Sequence, residues 1–132
     1  AKIMASVLKG LVYLHKNGWI HCDVKPANIM ITVEGNVKLI DFGLACPGPF
    51  TRKTGCTPSY AAPEMLTYEG HGPKYDVWSL AVTAYEMHTG KQLIQLIPGL
   101  NSNFKFYLSE RSMRTLMQVY MVGAVSNWPK WD

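Results

Sequence analysis

The chain has 132 residues, which is enough for one domain or for part of one. Its composition, with 48% apolar and 17% charged residues, excludes a chain that is disordered throughout. No apolar run approaches the length of a membrane span and no signal peptide is visible, so we expect an intracellular protein, cytoplasmic or nuclear, without a membrane partner. The net charge of +4 comes from scattered basic residues, so we expect no nucleic-acid partner.

The cysteines give a further indication of the compartment. Cys22, Cys46 and Cys56 are an odd number and lack the paired spacing of structural metal sites. We therefore interpret them as reduced thiols, which fits an intracellular protein. A thiolate or zinc role for the adjacent His21 and Cys22 stays open as an alternative, although no second ligand pair occurs at metal spacing.

The first predicted element is an amphipathic helix over 2–15, where apolar residues recur at helical spacing and Gly18 follows as a stop signal. Two short strands are predicted over 29–33 and 37–40. The three residues between them, 34–36, are typical of a hairpin turn.

This hairpin predicts that two oxygen-bearing side chains lie close together. If Val33 faces Val37 across the turn, then Ile29 faces Asp41, and Asn28 lies within one residue of the position opposite Asp41. Cross-strand neighbours are roughly 5 Å apart and diagonal ones roughly 7–8 Å. An amide oxygen and a carboxylate that converge there suit Mg²⁺, which prefers oxygen ligands. The alternative is a capped hairpin with solvated polar ends.

The next predicted segments along the chain are a loop and two helices. The segment 44–61 is rich in proline and glycine and is predicted to be a loop. The helix over 76–88 is apolar nearly all round, which predicts central burial, and Asp76 at its start could be a plain N-cap. The apolar face of the helix over 109–122 is typical of core packing.

Three short motifs occur in order along this framework. They are His21-Cys22-Asp23-Val24-Lys25-Pro26-Ala27-Asn28, Asp41-Phe42-Gly43 and Ala62-Pro63-Glu64. Together they resemble the catalytic loop, the metal-binding turn and the activation-segment end of eukaryotic protein kinases, and Lys25 resembles the Ser/Thr type. The resemblance implies a C-terminal kinase lobe, mainly α-helical with a short β-hairpin and truncated at both ends. It is strong over 1–91 and weak over 92–132, where residues 116–131 faintly resemble cyclin-dependent and MAP-type kinases.

The resemblance also implies a role for each residue of the site. Asp23 would orient the substrate hydroxyl and accept its proton, and Lys25 would neutralise the phosphoryl group that ATP transfers. Asn28 and Asp41 would hold Mg²⁺ against the ATP phosphates, so ATP and Mg²⁺ are the expected cofactors. Gly43 permits a sharp backbone turn directly after Asp41.

The loop before Ala62-Pro63-Glu64 would be the activation segment. Thr57 resembles the threonine that hydrogen-bonds near the catalytic carboxylate at the substrate-docking end of this segment. Thr51 and Thr54 are further hydroxyls in it and are candidate phosphorylation sites; the alternative is that they are solvated loop residues.

Other motif positions are expected to be structural. His21 and Glu64 belong to this group, and Asp76 would brace the backbone of the catalytic loop. Cys22 stands where the family commonly has arginine, so we do not expect the docking of a phosphorylated loop by that arginine.

The expected function is therefore that of a Ser/Thr protein kinase catalytic-lobe fragment, which transfers the ATP γ-phosphate to protein Ser/Thr hydroxyls when complete. We expect no catalysis from these 132 residues alone, because no Gly-rich loop and no upstream strand lysine are visible. The expected partners are a protein substrate with Ser/Thr and the missing N-terminal lobe or another kinase. The alternatives are a non-catalytic kinase-like module that acts by binding or mimicry, and an inactive, degenerate fragment.

Overall fold

The computed structural model describes residues 2–53, 55–66 and 70–93. These ranges contain three helices, two strand pairs and two single turns of 3₁₀ helix. The elements are α1 (Lys2–Lys16), β1 (Trp19–Ile20), β2 (Ile29–Ile31), β3 (Val37–Leu39), β4 (Cys46–Pro47), α2 (Pro63–Leu66) and α3 (Lys74–Thr89), with the 3₁₀ turns at Pro26–Asn28 and Pro58–Tyr60. The predicted helix over 109–122 and the stretch 116–131, on which the kinase subgroup depends, lie outside the described residues.

Helix α1 follows the predicted pattern closely. Its buried face carries Val7 and Leu11, which pack with Val24 of the following loop and Leu80 of α3. Burial of an aliphatic side chain of this size stabilises a fold by roughly 1.5–3 kcal/mol. The helix ends before Gly18, whose φ of 78° is a left-handed conformation that glycine adopts without steric cost. Helix α1 therefore packs against one side of the loop 21–28, which takes the name catalytic loop from the kinase motif that it resembles.

The hairpin forms, but in a different register from the predicted one. Ile29 pairs with Leu39 and Ile31 pairs with Val37, so the strands are shorter than 29–33 and 37–40. Thr32 leaves the ladder because its backbone N–H donates to the Asn36 carbonyl at 2.8 Å and its hydroxyl accepts the Asn36 N–H at 3.2 Å. The predicted pairing of Val33 with Val37 is wrong, and Val33 is 99% exposed.

A second strand pair closes the segment that contains this hairpin. Strands β1 and β4 are antiparallel, with Trp19 opposite Pro47 and Ile20 opposite Cys46. Ile20 and Cys46 are buried in one cluster together with Tyr75 of α3. The pair thus fixes the start of the catalytic loop beside the strand that follows the Asp-Phe-Gly turn.

Helix α3 is the main support beneath the loop. Its Ser79 hydroxyl donates to the Tyr60 carbonyl at 2.8 Å, and its Thr83 hydroxyl donates to the Val24 carbonyl at 3.5 Å. The prediction of burial all round holds for one face only, because Val77 is 51% exposed. In the described ranges, no helix combines the length and the apolar character needed to cross a membrane.

Candidate active site

The catalytic loop holds Asp23 and Asn28 side by side in a buried position. Asp23 is 8% exposed and Asn28 is 4% exposed. The Asn28 amide nitrogen donates to the Asp23 carbonyl at 2.8 Å and to the Asp23 carboxylate at 3.0 Å. Since the amide nitrogen is committed to Asp23, the amide oxygen of Asn28 is the atom that could serve a cation.

Two further side chains approach the Asp23 carboxylate. Lys25 Nζ lies 3.1 Å from one carboxylate oxygen and donates to the Thr57 hydroxyl at 2.8 Å. The Thr57 hydroxyl in turn donates to the other carboxylate oxygen at 2.6 Å. The carboxylate is therefore fixed by an amide, an ammonium and a hydroxyl, and Thr57 attaches the activation segment to the catalytic loop.

A buried carboxylate from α3 holds the backbone of the loop. Asp76 has no exposed surface, and its two oxygens accept the backbone N–H groups of His21 and Cys22, each at 2.9 Å. His15 Nε2 of α1 lies 2.7 Å from the same carboxylate. Cys22 has a φ of 67°, an uncommon backbone conformation outside glycine, and these bonds hold it there. The alternative that Asp76 is an N-cap is wrong, because Pro73 occupies that position and Asp76 lies inside the helix.

His21 connects the loop to the turn that carries Asp41. Its Nδ1 accepts the Asp23 backbone N–H at 3.2 Å, so the proton lies on Nε2, which donates to the Ile40 carbonyl at 3.1 Å. The imidazole also meets the Phe42 ring edge-on, with the ring centres 5.0 Å apart. With both nitrogens engaged, His21 is not a zinc ligand in this arrangement.

Asp41 lies at the same end of the hairpin as Asn28. The Ile40 backbone N–H donates to the Asn28 carbonyl at 2.9 Å, which places the following residue, Asp41, next to the loop. Asp41 is exposed, has a φ of 60°, and accepts the Gly43 N–H with its carboxylate at 3.1 Å. A Cβ at Gly43 would meet that carboxylate oxygen at 3.1 Å, which is a tight contact. An amide oxygen and a carboxylate at one edge form a donor set that suits Mg²⁺.

The other residues expected in the activation segment lie elsewhere or outside the described ranges. Thr51 pairs through its backbone with His71, and its hydroxyl accepts the Lys53 N–H at 3.1 Å. Glu64 lies in the first turn of α2. Thr54 is outside the described residues.

One group of residues was missed by the sequence analysis. The side chains of Cys22, Cys46 and His71 are all buried, and their sulfur and nitrogen atoms lie within 4.8 Å of one another. The residues are distant in the sequence, and the fold brings them together through the β1–β4 pair and the Thr51–His71 bridge. No spacing pattern could have indicated this group.

Comparison with known proteins identifies a family. The sequence model of the family described as "Protein kinase domain" matches residues 1–132. The human hormonally up-regulated neu tumor-associated kinase is 34% identical over 132 residues, which cover 95% of this chain and 18% of that protein. Two fission-yeast proteins are also similar. Serine/threonine-protein kinase ppk11 is 43% identical over 95 residues, covering 69% of this chain and 30% of that protein. Serine/threonine-protein kinase shk1/pak1 is 35% identical over 127 residues, covering 93% of this chain and 17% of that protein. The chain thus spans less than a third of the length of these relatives.

Proposed function

This chain belongs to the protein kinase domain family, and we propose that it carries the catalytic loop and metal ligands of a Ser/Thr protein kinase. The reaction would be transfer of the ATP γ-phosphate to Ser or Thr hydroxyls of a protein. The names of two similar proteins, both serine/threonine-protein kinases, support this choice of acceptor. The observation that carries the proposal is the shared contact of Lys25, Asn28 and Thr57 with the Asp23 carboxylate.

The proposed role of Asp23 follows from how its carboxylate is held. One oxygen already accepts a hydroxyl hydrogen bond from Thr57, so the group can accept a bond from an alcohol at this position. A substrate hydroxyl that docks there would be oriented towards the phosphoryl group and would pass its proton to Asp23. Lys25, 3.1 Å from the carboxylate, would place a positive charge beside the transferring group.

Asn28 and Asp41 are the residues that we propose as Mg²⁺ ligands. They would bind the cation through the Asn28 amide oxygen and the Asp41 carboxylate, which lie at the same end of the hairpin. When bound, Mg²⁺ neutralises phosphate charge and orients the ATP phosphates. His21 links the loop that carries Asn28 to the turn that carries Asp41, through its bonds to Asp23 and Ile40.

We propose that other groups complete the nucleotide site. The described residues supply the Asp23 carboxylate, the Lys25 ammonium and the oxygen ligands of Asn28 and Asp41. A kinase also needs a strand lysine and a Gly-rich loop over the phosphates. An N-terminal lobe of the same protein, or another kinase, would supply these. The assignment to the cyclin-dependent or MAP-type subgroup depends on residues outside the described ranges and stays a prediction.

The test is phosphoryl transfer from radiolabelled ATP to a generic protein substrate by the full protein. Asp23→Asn keeps the shape of the side chain but removes the proton acceptor, so we expect the rate to fall about 100-fold or more. Glu34→Gln is the matched control, because Glu34 lies in the exposed hairpin turn and should keep the full rate. An Asp23→Asn variant with the rate of the Glu34→Gln variant would refute the proposed base.

Calorimetry with Mg²⁺-ATP distinguishes a catalytic kinase domain from a non-catalytic, kinase-like module. Binding that disappears in Asp41→Ala would support the proposed metal site. A folded protein that neither binds Mg²⁺-ATP nor transfers phosphate would instead favour the non-catalytic module that acts by binding or mimicry of a kinase.

A further inference from the structure

Cys22, Cys46 and His71 form a compact cluster of soft ligand atoms beside the catalytic loop. The two sulfur atoms are 3.1 Å apart, and Cys22 Sγ lies 3.5 Å from His71 Nε2. The exposed fractions of the three residues are 2%, 1% and 3%. The proposed phosphotransfer mechanism uses none of these side chains.

Three separate parts of the fold converge on this cluster. Cys22 lies in the catalytic loop, directly before Asp23, and Cys46 lies in β4. His71 comes from the segment before α3, where its backbone N–H and carbonyl both pair with Thr51. Since β1 and β4 fix the first two segments and the Thr51 bridge fixes the third, the cluster is held from all three directions.

The ligand types and spacing fit a zinc-class cation. Zinc binds cysteine sulfur at about 2.3 Å and histidine nitrogen at about 2.0–2.1 Å, usually with tetrahedral geometry. Those bond lengths place a sulfur and a nitrogen ligand about 3.5 Å apart and two sulfur ligands about 3.7 Å apart. The Cys22–His71 distance of 3.5 Å already matches. The 3.1 Å between the sulfur atoms is about 0.6 Å shorter than that spacing of two sulfur ligands, so the two side chains must separate when the cation binds. The ligand atoms of Cys46 and His71 lie within 4.8 Å of each other.

The surrounding charges are mixed, and two carboxylates favour a cation. Burial lowers the pKa of His71, which keeps its imidazole in the neutral form that binds metals. Burial and the Cys46 thiol raise the pKa of Cys22, so a cation must displace the thiol proton when it binds. The Asp76 carboxylate acts on both residues, and Glu64 acts on His71, in the direction that favours positive charge, whereas the Lys53 ammonium acts on Cys22 in the opposite direction.

We propose that Cys22, Cys46 and His71 bind one zinc-class cation, with water at the fourth position. The site is separate from the proposed Mg²⁺ site, because sulfur and imidazole ligands select zinc whereas carboxylate and amide oxygens select magnesium. The bound cation would join the catalytic loop, β4 and the entry to α3. This proposal does not depend on the phosphotransfer proposal.

The test is titration of the full protein with Co²⁺ under a phosphine reductant, because cobalt replaces zinc in such sites and reports its ligands by absorption. We expect one equivalent to give a thiolate-to-cobalt charge-transfer band and the visible bands of a tetrahedral site, both reversed by Zn²⁺. Cys46→Ser and His71→Asn should lose or shift these bands. Cys56→Ser is the matched control and should keep them, since Cys56 packs against the same buried cluster but is not a ligand.

A second measurement on the unaltered protein covers the case in which a variant does not fold. The unaltered protein should unfold at a higher urea concentration with one equivalent of Zn²⁺ than after chelation, because a cation that joins three segments of the fold stabilises the folded state. Equal midpoints would also overturn the proposal. The proposal is overturned if folded protein shows no charge-transfer band, or if Cys56→Ser removes the band as fully as Cys46→Ser does. It is also overturned if Cys22 and Cys46 are joined in a disulfide that the reductant leaves intact.

Discussion

The two halves of the proposed Mg²⁺ site differ sharply in how the protein holds them. Asn28 is 4% exposed, and its amide nitrogen makes two hydrogen bonds to Asp23. Asp41 is exposed, and its carboxylate accepts the N–H of Gly43, two residues further along the chain. The first half is built into the core, whereas the second is a local turn.

The two ligands therefore depend on different interactions. The position of Asn28 depends on Asp23, whose loop backbone is fixed by Asp76 on α3. The position of Asp41 depends on the hairpin and on the contact of His21 with Ile40 and Phe42. Changes beneath the loop should therefore affect folding, whereas changes at the turn should affect ligand binding.

The largest expected effect separates these two dependences. Asp76→Asn should lower the free energy of unfolding by about 2–4 kcal/mol, because two buried N–H groups lose a charged acceptor. Asp41→Asn is the matched change on the other half and should alter it by no more than about 0.5 kcal/mol, since Asn tolerates a positive φ and the site is exposed. Urea titration of both variants measures the difference. Equal losses of stability would show that Asp41 is built into the fold as firmly as the loop that Asp76 holds.

A smaller effect is expected where the activation segment meets the buried half. Thr57→Val removes the hydroxyl that links Lys25 to Asp23 but keeps the side-chain volume. We expect kcat to fall about tenfold, with the KM for ATP unchanged, because the loss affects the orientation of Asp23. Steady-state kinetics would show this, and Thr57→Ser should restore most of the rate. A rise in KM for ATP alone would place Thr57 on the nucleotide side instead.

The hairpin that positions the exposed ligand, Asp41, can be tested directly. Val37 packs against the cluster of Val7, Leu11, Val24 and Leu80, so Val37→Ala should cost about 1 kcal/mol of stability. Val33→Ala should change the stability by no more than about 0.5 kcal/mol, because Val33 is 99% exposed in the turn. Thermal unfolding of the two variants compares them directly. Similar losses would favour the register in which the two valines face each other.

The smallest expected effect appears only in alkaline solution. Burial and a hydrogen bond to the Glu86 carboxylate raise the pKa of Tyr60 to about 12. The unfolded chain ionises this phenol near pH 10, so stability should decline as the pH rises from about 10 to about 12. Tyr60→Phe should reduce that decline, as measured by urea titration across this range. An unchanged slope would show that Tyr60 keeps an ordinary pKa and that its contact with α3 contributes little.

The sequence predicted the regular elements better than the contacts between them. Helix α1 follows from apolar periodicity and from Gly18, whose φ of 78° suits a helix stop. The hairpin register was wrong because the Thr32 hydroxyl and backbone bind Asn36, which shortens both strands. Such local competition is not visible in a pattern of apolar residues.

The candidate site shows the same division. Hairpin geometry predicted Asn28 and Asp41 at the same end, and in the corrected register the Asn28 carbonyl accepts the N–H of Ile40, the residue before Asp41. The convergence of their side-chain oxygens stays a prediction. The position of Thr57 beside Asp23 came from the family resemblance, since no local rule relates residues so far apart. The cluster of Cys22, Cys46 and His71 followed from neither, because it depends on tertiary packing.

The pairing of β1 with β4 has a consequence for how this region opens and closes. Because Ile20 pairs with Cys46, residues 21–45 form one closed loop. Asp23, Asn28 and Asp41 of the candidate site all lie inside it. The entropic cost of closing a loop grows only with the logarithm of its length, so extra residues at the hairpin tip would change that cost little. Separation of the two short strands would open this loop at its base, while the Asp76 bonds to His21 and Cys22 and the packing of Val37 against α1 would still hold its two sides. The strand pair therefore stabilises the candidate site from outside it, together with these contacts.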